Sequence, residues 1–430
     1  MGKTQKDDSP IHPNLLKVMD EYYKVENKQK VETFQSFYVN KNDRNKKKRL
    51  RILYVTFLKY PNHGGLSNYI TSLKTGLEHV GHDVDVISPL QMTSVHFEKY
   101  IPEVAAKVKD FLLRRYGIAN EKIIKNISFL NVFYSFLKEK QLAEYDVFHG
   151  QDLFAIFLLG QLNRVYKKSL FFTPHGHFTE SRMKFGKIER GSIEEIYFRE
   201  IEKQGIKAAN KIITISHSFH RILRKYGAKK EQLVTVHTGI HFPNHTIRKQ
   251  IENDKIIISC IARLAPRKGH IFLLQALAKL KPFFQNIDVW IVGDGSMREK
   301  LEKEVRQLKL DNVSFFGRKK NVAEILAQSS IYVLPTINDN FPLSIIEAML
   351  AGQAIVTTNC GGIPEMICHG KTGLICEPGN VEELTDALTL LLTKNELRKQ
   401  LGHNAQQYAE EYLVQKVMVS RIEDIYQEFV

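Results

Sequence analysis

The stretch IYVLPTINDNFPLSIIEAMLAGQAIVTTNCGGIPEMICHGKTGLICEPG, residues 331–379, decides how the chain folds. IYVLP is a short apolar run that stops at Pro335, as a buried strand does where it enters a loop. In PLSIIEAMLAG apolar residues recur at helical spacing, with Pro342 in the first turn and Gly352 just past the end. A helix is predicted over 342–351. AIVTT is the next strand, and Gly361-Gly362 makes the turn after it. Strand–loop–helix–strand is the parallel α/β unit, whose ligands gather beyond the carboxyl ends of the strands. Backbone N–H groups at the helix start carry partial positive charge that suits an anion or sugar hydroxyls. Asp339 in the loop and Glu347 eight residues on set two carboxylates beside that start. The spacing suggests two groups sorting hydroxyls along one extended ligand.

Asp339-Asn340-Phe341-Pro342 followed by Glu347-Ala348-Met349 resembles the acidic-x7-Glu motif of retaining family 4 glycosyltransferases. The likeness continues through Gly361-Gly362-Ile363-Pro364-Glu365 and Lys371-Thr372-Gly373-Leu374. It implies an α/β chain of the GT-B fold, two Rossmann-like domains facing an interdomain cleft. It also implies that Asp339 binds donor-sugar hydroxyls beside Asn340, Phe341, Pro342 and Leu343, and that Glu347 binds the nucleotide ribose. Asp339 stands where the family usually has Glu, and Asn340 where it usually has Gly. The carboxylate is kept on a shorter arm.

Composition sets the outer bounds. At 430 residues, two domains plus an extension are expected. No apolar run approaches the roughly 18–20 residues of a membrane span, and MGKTQKDDSPIHPN lacks the apolar core of a signal peptide. A cytoplasmic chain is expected. The cysteines (260, 360, 368 and 376) form no CxxC pair, which argues for buried, reduced thiols and against a zinc site. The net charge of +15 lies entirely in the first 240 residues, which hold 40 basic against 25 acidic residues. The basic blocks are 41–51 (KNDRNKKKRLR), 182–190 and 221–230. Such asymmetry points to an anionic partner, with a membrane surface at the inner face ahead of nucleic acid. No nucleic-acid module is visible, so no nucleic-acid partner is expected.

Taken in order, residues 1–48 read as a polar, basic extension with an amphipathic stretch at 15–25. RILYVTFL (51–58) is a buried strand, followed by Gly64-Gly65 and a helix over 66–80. This is a phosphate-cradle arrangement without the glycine pattern of a dinucleotide or P-loop motif. Residues 95–141 are helical, basic and aromatic, and Val108, Phe111 and Leu112 with Arg114 and Arg115 form either a membrane-surface face or ordinary core. DVFHGQD and SLFFTPHGHFTE end two further strands with Asp152, His175 and His177 in their loops. Arg263 and Lys268 follow the strand at 255–262, where a guanidinium and an ammonium beside a helix start suit a diphosphate. Helices are expected at 381–402 and 404–429.

The resemblance carries these residues into roles. It puts Gly64 and Gly65 against donor phosphates, His175 near the reacting carbon, and Asp152 and His177 in acceptor binding. It puts Arg263 and Lys268 on the diphosphate, and Gly317 and Arg318 near the nucleotide base. His175, Arg263, Lys268 and Asp339 are the expected catalytic groups. The boundaries it implies are an extension at 1–48, an acceptor domain at 49–242 and a linker at 243–254. A donor domain at 255–412 and a helix at 413–430 that crosses back to the first domain complete them. The expected reaction is retaining transfer of a sugar, from a UDP-sugar in the first instance, to an acceptor hydroxyl in envelope or other glycan synthesis. The two cations would replace a metal, so no metal site and no cofactor are expected. The expected acceptor is anionic or lipid-linked, with peripheral membrane contact through the basic half. Two alternatives stand beside this: a non-catalytic nucleotide-sugar-binding protein, and a GT-B nucleotide-sugar epimerase.

Overall fold

The structure, a computed structural model, describes residues 9–26, 34–36, 47–62, 64–243 and 255–430. Its chain forms two compact units, each built on a six-stranded sheet in which every ladder is parallel. The first unit comprises residues up to Thr214, Phe219–Thr235 and Ile422–Val430; the second comprises Ile215–Ser218 and Val236–Arg421. Most of the expected linker at 243–254 and half of the basic block at 41–51 lie outside the described residues.

The first sheet contains β1 (Arg51–Val55), β2 (Asp83–Ile87), β3 (Val147–Gly150), β4 (Ser169–Phe172), β5 (Lys211–Thr214) and β6 (Leu233–Thr235), in the order β2-β1-β3-β4-β5-β6. β3 and β4 are buried along their whole length, as expected for parallel strands covered on both faces. The chain enters the sheet at β1, steps outward to β2, then returns past β1 to β3. Loops after β1 and β3 therefore flank the point where strand order reverses, the usual ligand crevice of an open α/β sheet.

The N-terminal stretch read as an extension contributes a helix, Pro13–Tyr23, built into this unit. Leu15, Leu16 and Met19 are buried, and the helix packs on helix Ile193–Ala208. Asp20 is fully buried and accepts two hydrogen bonds from Arg115, at 2.6 and 2.9 Å, and one from Tyr116 Oη at 2.7 Å. Val108 and Leu112 of helix Ile101–Tyr116 are core residues too. The membrane-surface reading of that stripe is therefore overturned at these positions. Packing, not lipid, covers them. Among the described residues of the basic block, Lys47 pairs with Glu423 and Asp424, Lys48 with Asp146, Arg49 with Asp83 and Arg51 with Glu144.

The second sheet contains β7 (Ile256–Ile261), β8 (Ile287–Val292), β9 (Val313–Gly317), β10 (Ile331–Leu334), β11 (Ala354–Thr358) and β12 (Leu374–Cys376), in the order β12-β11-β10-β7-β8-β9. Its switch point lies between β7 and β10. Leu273, Leu277, Ile291, Val333, Val356 and Leu388 are among the residues that fill the core between this sheet and its helices.

The C-terminal helices differ from expectation. Three occur, at Val381–Thr393, Asn395–Tyr412 and Gln415–Gln427. The last break exists because Leu413 and Gln415 hydrogen-bond Ile240 across a bridge at Val414, at 3.1 and 2.9 Å. No glycine or proline stands at the break itself; the close fit is made from the other side, where a Cβ at Gly239 would stand 2.2 Å from the Val414 carbonyl oxygen. The final turns of the last helix pack in the first unit. Tyr426 is fully buried there and meets His149 Nδ1 at 2.5 Å and Tyr54 Oη at 3.2 Å. His82 reaches Glu423 at 3.3 Å. Among the described residues no helix is long and apolar enough to cross a membrane.

Candidate functional site

The loops that carry the candidate donor residues of the second half each follow the carboxyl end of a parallel strand, so they open on one end of the second sheet. Arg263 and Lys268 follow β7, Gly317 closes β9 with Arg318 next, and Asp339 through Phe341 follow β10. The loops after β7 and β10 meet at the switch point. There Lys268 Nζ hydrogen-bonds Asp339 Oδ2, and Arg267 Nη1 lies 3.5 Å from Asp339 Oδ1. Lys268 retains only 8% exposure. Backbone contacts hold the pair in place: Thr336 Oγ1 and Ile337 N–H both donate to the Arg267 carbonyl, at 2.9 and 2.8 Å. Arg263 is exposed and has no ion-pair partner among the described residues. An enclosed cation with one carboxylate, in a loop that also carries an exposed guanidinium, is a receptive place for a polyanion, since charge-assisted contacts are strongest where water is scarce.

Helix Leu343–Leu350 begins one residue later than expected, which leaves Pro342 at the N-cap position and not in the first turn. Glu347 lies on this helix, partly enclosed, and burial pushes its carboxyl up to about 7. Tyr332 donates to Ser344 Oγ at 2.7 Å and so ties the helix start to β10. Phe341 is buried and stacks on the His237 ring, centroids 5.0 Å apart and planes 17° from parallel. Gly317 has a positive φ of 64°, and Arg318 is exposed.

In the first unit, Gly64 (φ 150°) precedes helix Gly65–His79, and a side chain at Gly65 would meet open space. Asp152 caps helix Leu153–Tyr166. Its carboxylate accepts from the N–H groups of Phe154 and Ala155, both at 3.0 Å, from Phe57 N–H at 2.6 Å and from Thr56 Oγ1 at 2.8 Å. Four protein donors already occupy it. His175, in the loop after β4, faces Gln151 instead: Nε2 lies 3.3 Å from Gln151 Oε1, and the ring packs edge-on against Tyr69 at 4.7 Å. Burial lowers the His175 pKa to about 3, so the imidazole is neutral at physiological pH. His177 is lowered to about 4, again by burial, with Glu180 opposing, and packs on Phe219 at 4.5 Å.

Two family models match in tandem. The glycosyltransferase family 4 model covers residues 63–242, and the glycosyl transferases group 1 model covers residues 242–408. The chain belongs to the family 4 glycosyltransferases. One relative is N-acetyl-alpha-D-glucosaminyl L-malate synthase of Bacillus anthracis, 31% identical over 52% of this chain and 60% of its own length. Another is the N,N'-diacetylbacillosaminyl-diphospho-undecaprenol alpha-1,3-N-acetylgalactosaminyltransferase of Campylobacter jejuni, 26% identical over 52% of this chain and 62% of its own. The chain thus spans less than two thirds of the length of these curated relatives. Among solved structures, Anabaena HepE in complex with UDP and glucose superposes with a TM-score of 0.64 at 18% identity, over 88% of this chain and 99% of that one. The likeness establishes the GT-B fold.

Within this family 4 chain, several positioning residues escape a sequence reading. Gly361 is one (φ 57°): a Cβ there would stand 1.8 Å from the Asp339 carbonyl oxygen. The Gly361-Gly362 pair is thus a clasp on the Asp339 loop as well as a turn. Gly269 does the same on the other side (φ 72°), where a Cβ would stand 1.8 Å from Pro335 O. Gln151 is another, one position from the Asp152 that its polarity and loop setting singled out. A side chain's direction at a strand end is set by the local backbone, which spacing alone does not report.

Proposed function

We propose that this family 4 chain transfers a sugar from a nucleotide-diphosphate donor, a UDP-sugar first, to an acceptor hydroxyl with retention of configuration. The observation that carries this reading is the Lys268–Asp339 pair at the switch point of the second sheet, with Arg263 exposed in the same loop as Lys268. Lys268 and Arg263 take the diphosphate and stabilise the charge that grows as it leaves, the electrostatic work for which other enzymes use a metal. Asp339 and the backbone N–H groups of the helix start hold sugar hydroxyls, and the Glu347 carboxylate holds the ribose. Gly317 and Arg318 contact the base. In the first unit, Gly64 and Gly65 sit against donor phosphates, and neutral His175 hydrogen-bonds near the reacting carbon. His177 contributes to acceptor binding. The transition state is oxocarbenium-like, and the acceptor oxygen attacks from the face the diphosphate leaves.

A lipid-linked or anionic acceptor has two supports: the charge asymmetry of the first 240 residues, and the diphospho-undecaprenol in the name of the Campylobacter relative. Membrane contact through the basic half predicts pelleting with anionic vesicles that weakens with salt; equal pelleting with neutral vesicles overturns it. The donor assignment is tested by thermal stabilisation with UDP-, GDP- and ADP-sugars. A ligand at 100 times its dissociation constant adds about 2.7 kcal/mol. A melting shift with one nucleotide family, lost in Arg263→Ala, supports the donor site. No shift with any of them overturns it.

A further inference from the structure

Three side chains of the second unit, none of them assigned a role above, converge on one point. They are His217 in the segment Ile215–Ser218, His237 just after β6, and Glu365 in the short helix Ile363–Met366. One nitrogen from each imidazole and one carboxylate oxygen all lie within 4.8 Å of one another. Both rings aim at the same atom: His217 Nδ1 is 2.9 Å and His237 Nε2 3.1 Å from Glu365 Oε2.

We propose that His217, His237 and Glu365 form a Zn2+ site with an open fourth position. A tetrahedral zinc ion with bonds of about 2.0–2.2 Å separates its ligand atoms by roughly 3.3–3.5 Å. The two nitrogen-to-oxygen separations need to open by only a few tenths of an ångström, and the ion takes the place of a ring N–H proton on each side, which moves to the other nitrogen of its own imidazole. Each imidazole keeps one proton, carried on its other nitrogen. Two imidazoles and a carboxylate suit zinc, whereas magnesium and calcium favour all-oxygen shells.

The surroundings are those of a held site with an entrance. The His217 side chain is 67% exposed, which gives an ion access and leaves the fourth position to water, while His237 and Glu365 are at 19% and 21%. Outer contacts orient the ligands, as zinc sites require. Ser218 N–H donates to Glu365 Oε1 at 3.1 Å, and Tyr408 Oη donates to the Glu365 carbonyl at 3.2 Å. The His237 ring is set by its stack on Phe341. Through that stack, and through the Gly361-Gly362 clasp just before Glu365, a bound ion stiffens the loop that carries Asp339. The site stands independently of the donor reading, because it needs no nucleotide.

The test uses the full chain without a histidine tag. Equilibrium dialysis against Zn2+ is expected to give one tightly held ion per chain, and Co2+ in its place the visible absorption of a tetrahedral centre. His217→Ala and His237→Ala each weaken Zn2+ binding at least about tenfold, the lower end of what loss of even an outer-shell partner costs. His403→Ala, at an exposed histidine elsewhere in the unit, leaves it unchanged. His217→Ala alters a solvent-facing side chain, so it decides the matter even where His237→Ala folds poorly. Absence of stoichiometric binding, or affinity unchanged in His217→Ala, overturns the proposal.

Discussion

Lys268 and Asp339, 71 positions apart, are joined by a hydrogen bond at the point where the second sheet reverses its strand order. The carboxylate is the counter-charge of an enclosed ammonium. Asp339→Asn removes that counter-charge and is expected to lower stability by about 3 kcal/mol, the low end for breaking a buried pair. A diphosphate restores the missing charge, so UDP should raise the melting temperature of this variant by more than it raises that of the wild type. Scanning calorimetry with and without UDP checks both.

Glu347 sets a pH dependence of definite sign. Burial pushes its carboxyl up to about 7, and the ionised form is the one that accepts ribose hydroxyls. UDP affinity is therefore expected to rise between pH 6 and 8. Stability of the free protein moves the other way. The native state holds a proton that the unfolded chain has released, so this group's contribution is lost as pH rises through about 7. Glu347→Gln flattens both trends and weakens UDP binding about tenfold, roughly one charge-assisted hydrogen bond. Calorimetric titration across pH reads the first trend, and denaturant melts the second.

Gly361→Ala puts a methyl group 1.8 Å from the Asp339 carbonyl oxygen, on a backbone of positive φ. The left-handed conformation alone costs about 1–2 kcal/mol, and relief of the clash moves the Asp339 loop. The expected outcome is a melting temperature several degrees lower and a loss of UDP-induced stabilisation larger than global destabilisation explains. Gly370→Ala, also at positive φ but facing open space, is the control that keeps UDP stabilisation intact.

Arg115→Ala strands the Asp20 carboxylate in the first unit. Asp20 is fully buried and among the described residues keeps only Tyr116 Oη, so a loss of about 3–5 kcal/mol is expected, as for other buried charges deprived of their partner. Asp20→Asn together with Arg115→Met should recover much of it. Urea denaturation of the three variants measures both.

The sheet of the second unit was legible because its strands are short apolar runs, several of them bounded by proline or glycine. β10 ends at Leu334, just before Pro335, and β7 and β11 fall within their expected spans. The acidic loop was legible for another reason: two carboxylates and two cations sit after strands, where parallel topology collects ligand groups. What escaped depends on contacts distant in sequence. Leu15 and Asp20 looked like an extension, because nothing in LLKVMDEYYKV names Arg115 as a partner. The helix break at Val414 is made by Ile240. The stack of His237 on Phe341 needs the tertiary fold to bring them together. Asp152 and Gln151 show the same limit at one-residue scale, since either polar side chain suited a strand end and only the backbone direction separates them.

The last helix carries a consequence for synthesis. Tyr426 supplies the hydroxyl that meets His149 and Tyr54 inside the first unit, and Ser169 Oγ on β4 bonds the carbonyl of Phe429. Those partners leave the ribosome 260–372 residues ahead of the groups they await. During translation the first sheet must wait with an unfilled socket while the whole second unit is made. A nascent chain stalled before residue 422 therefore exposes apolar and polar core groups together, the state in which chaperones engage and aggregation begins.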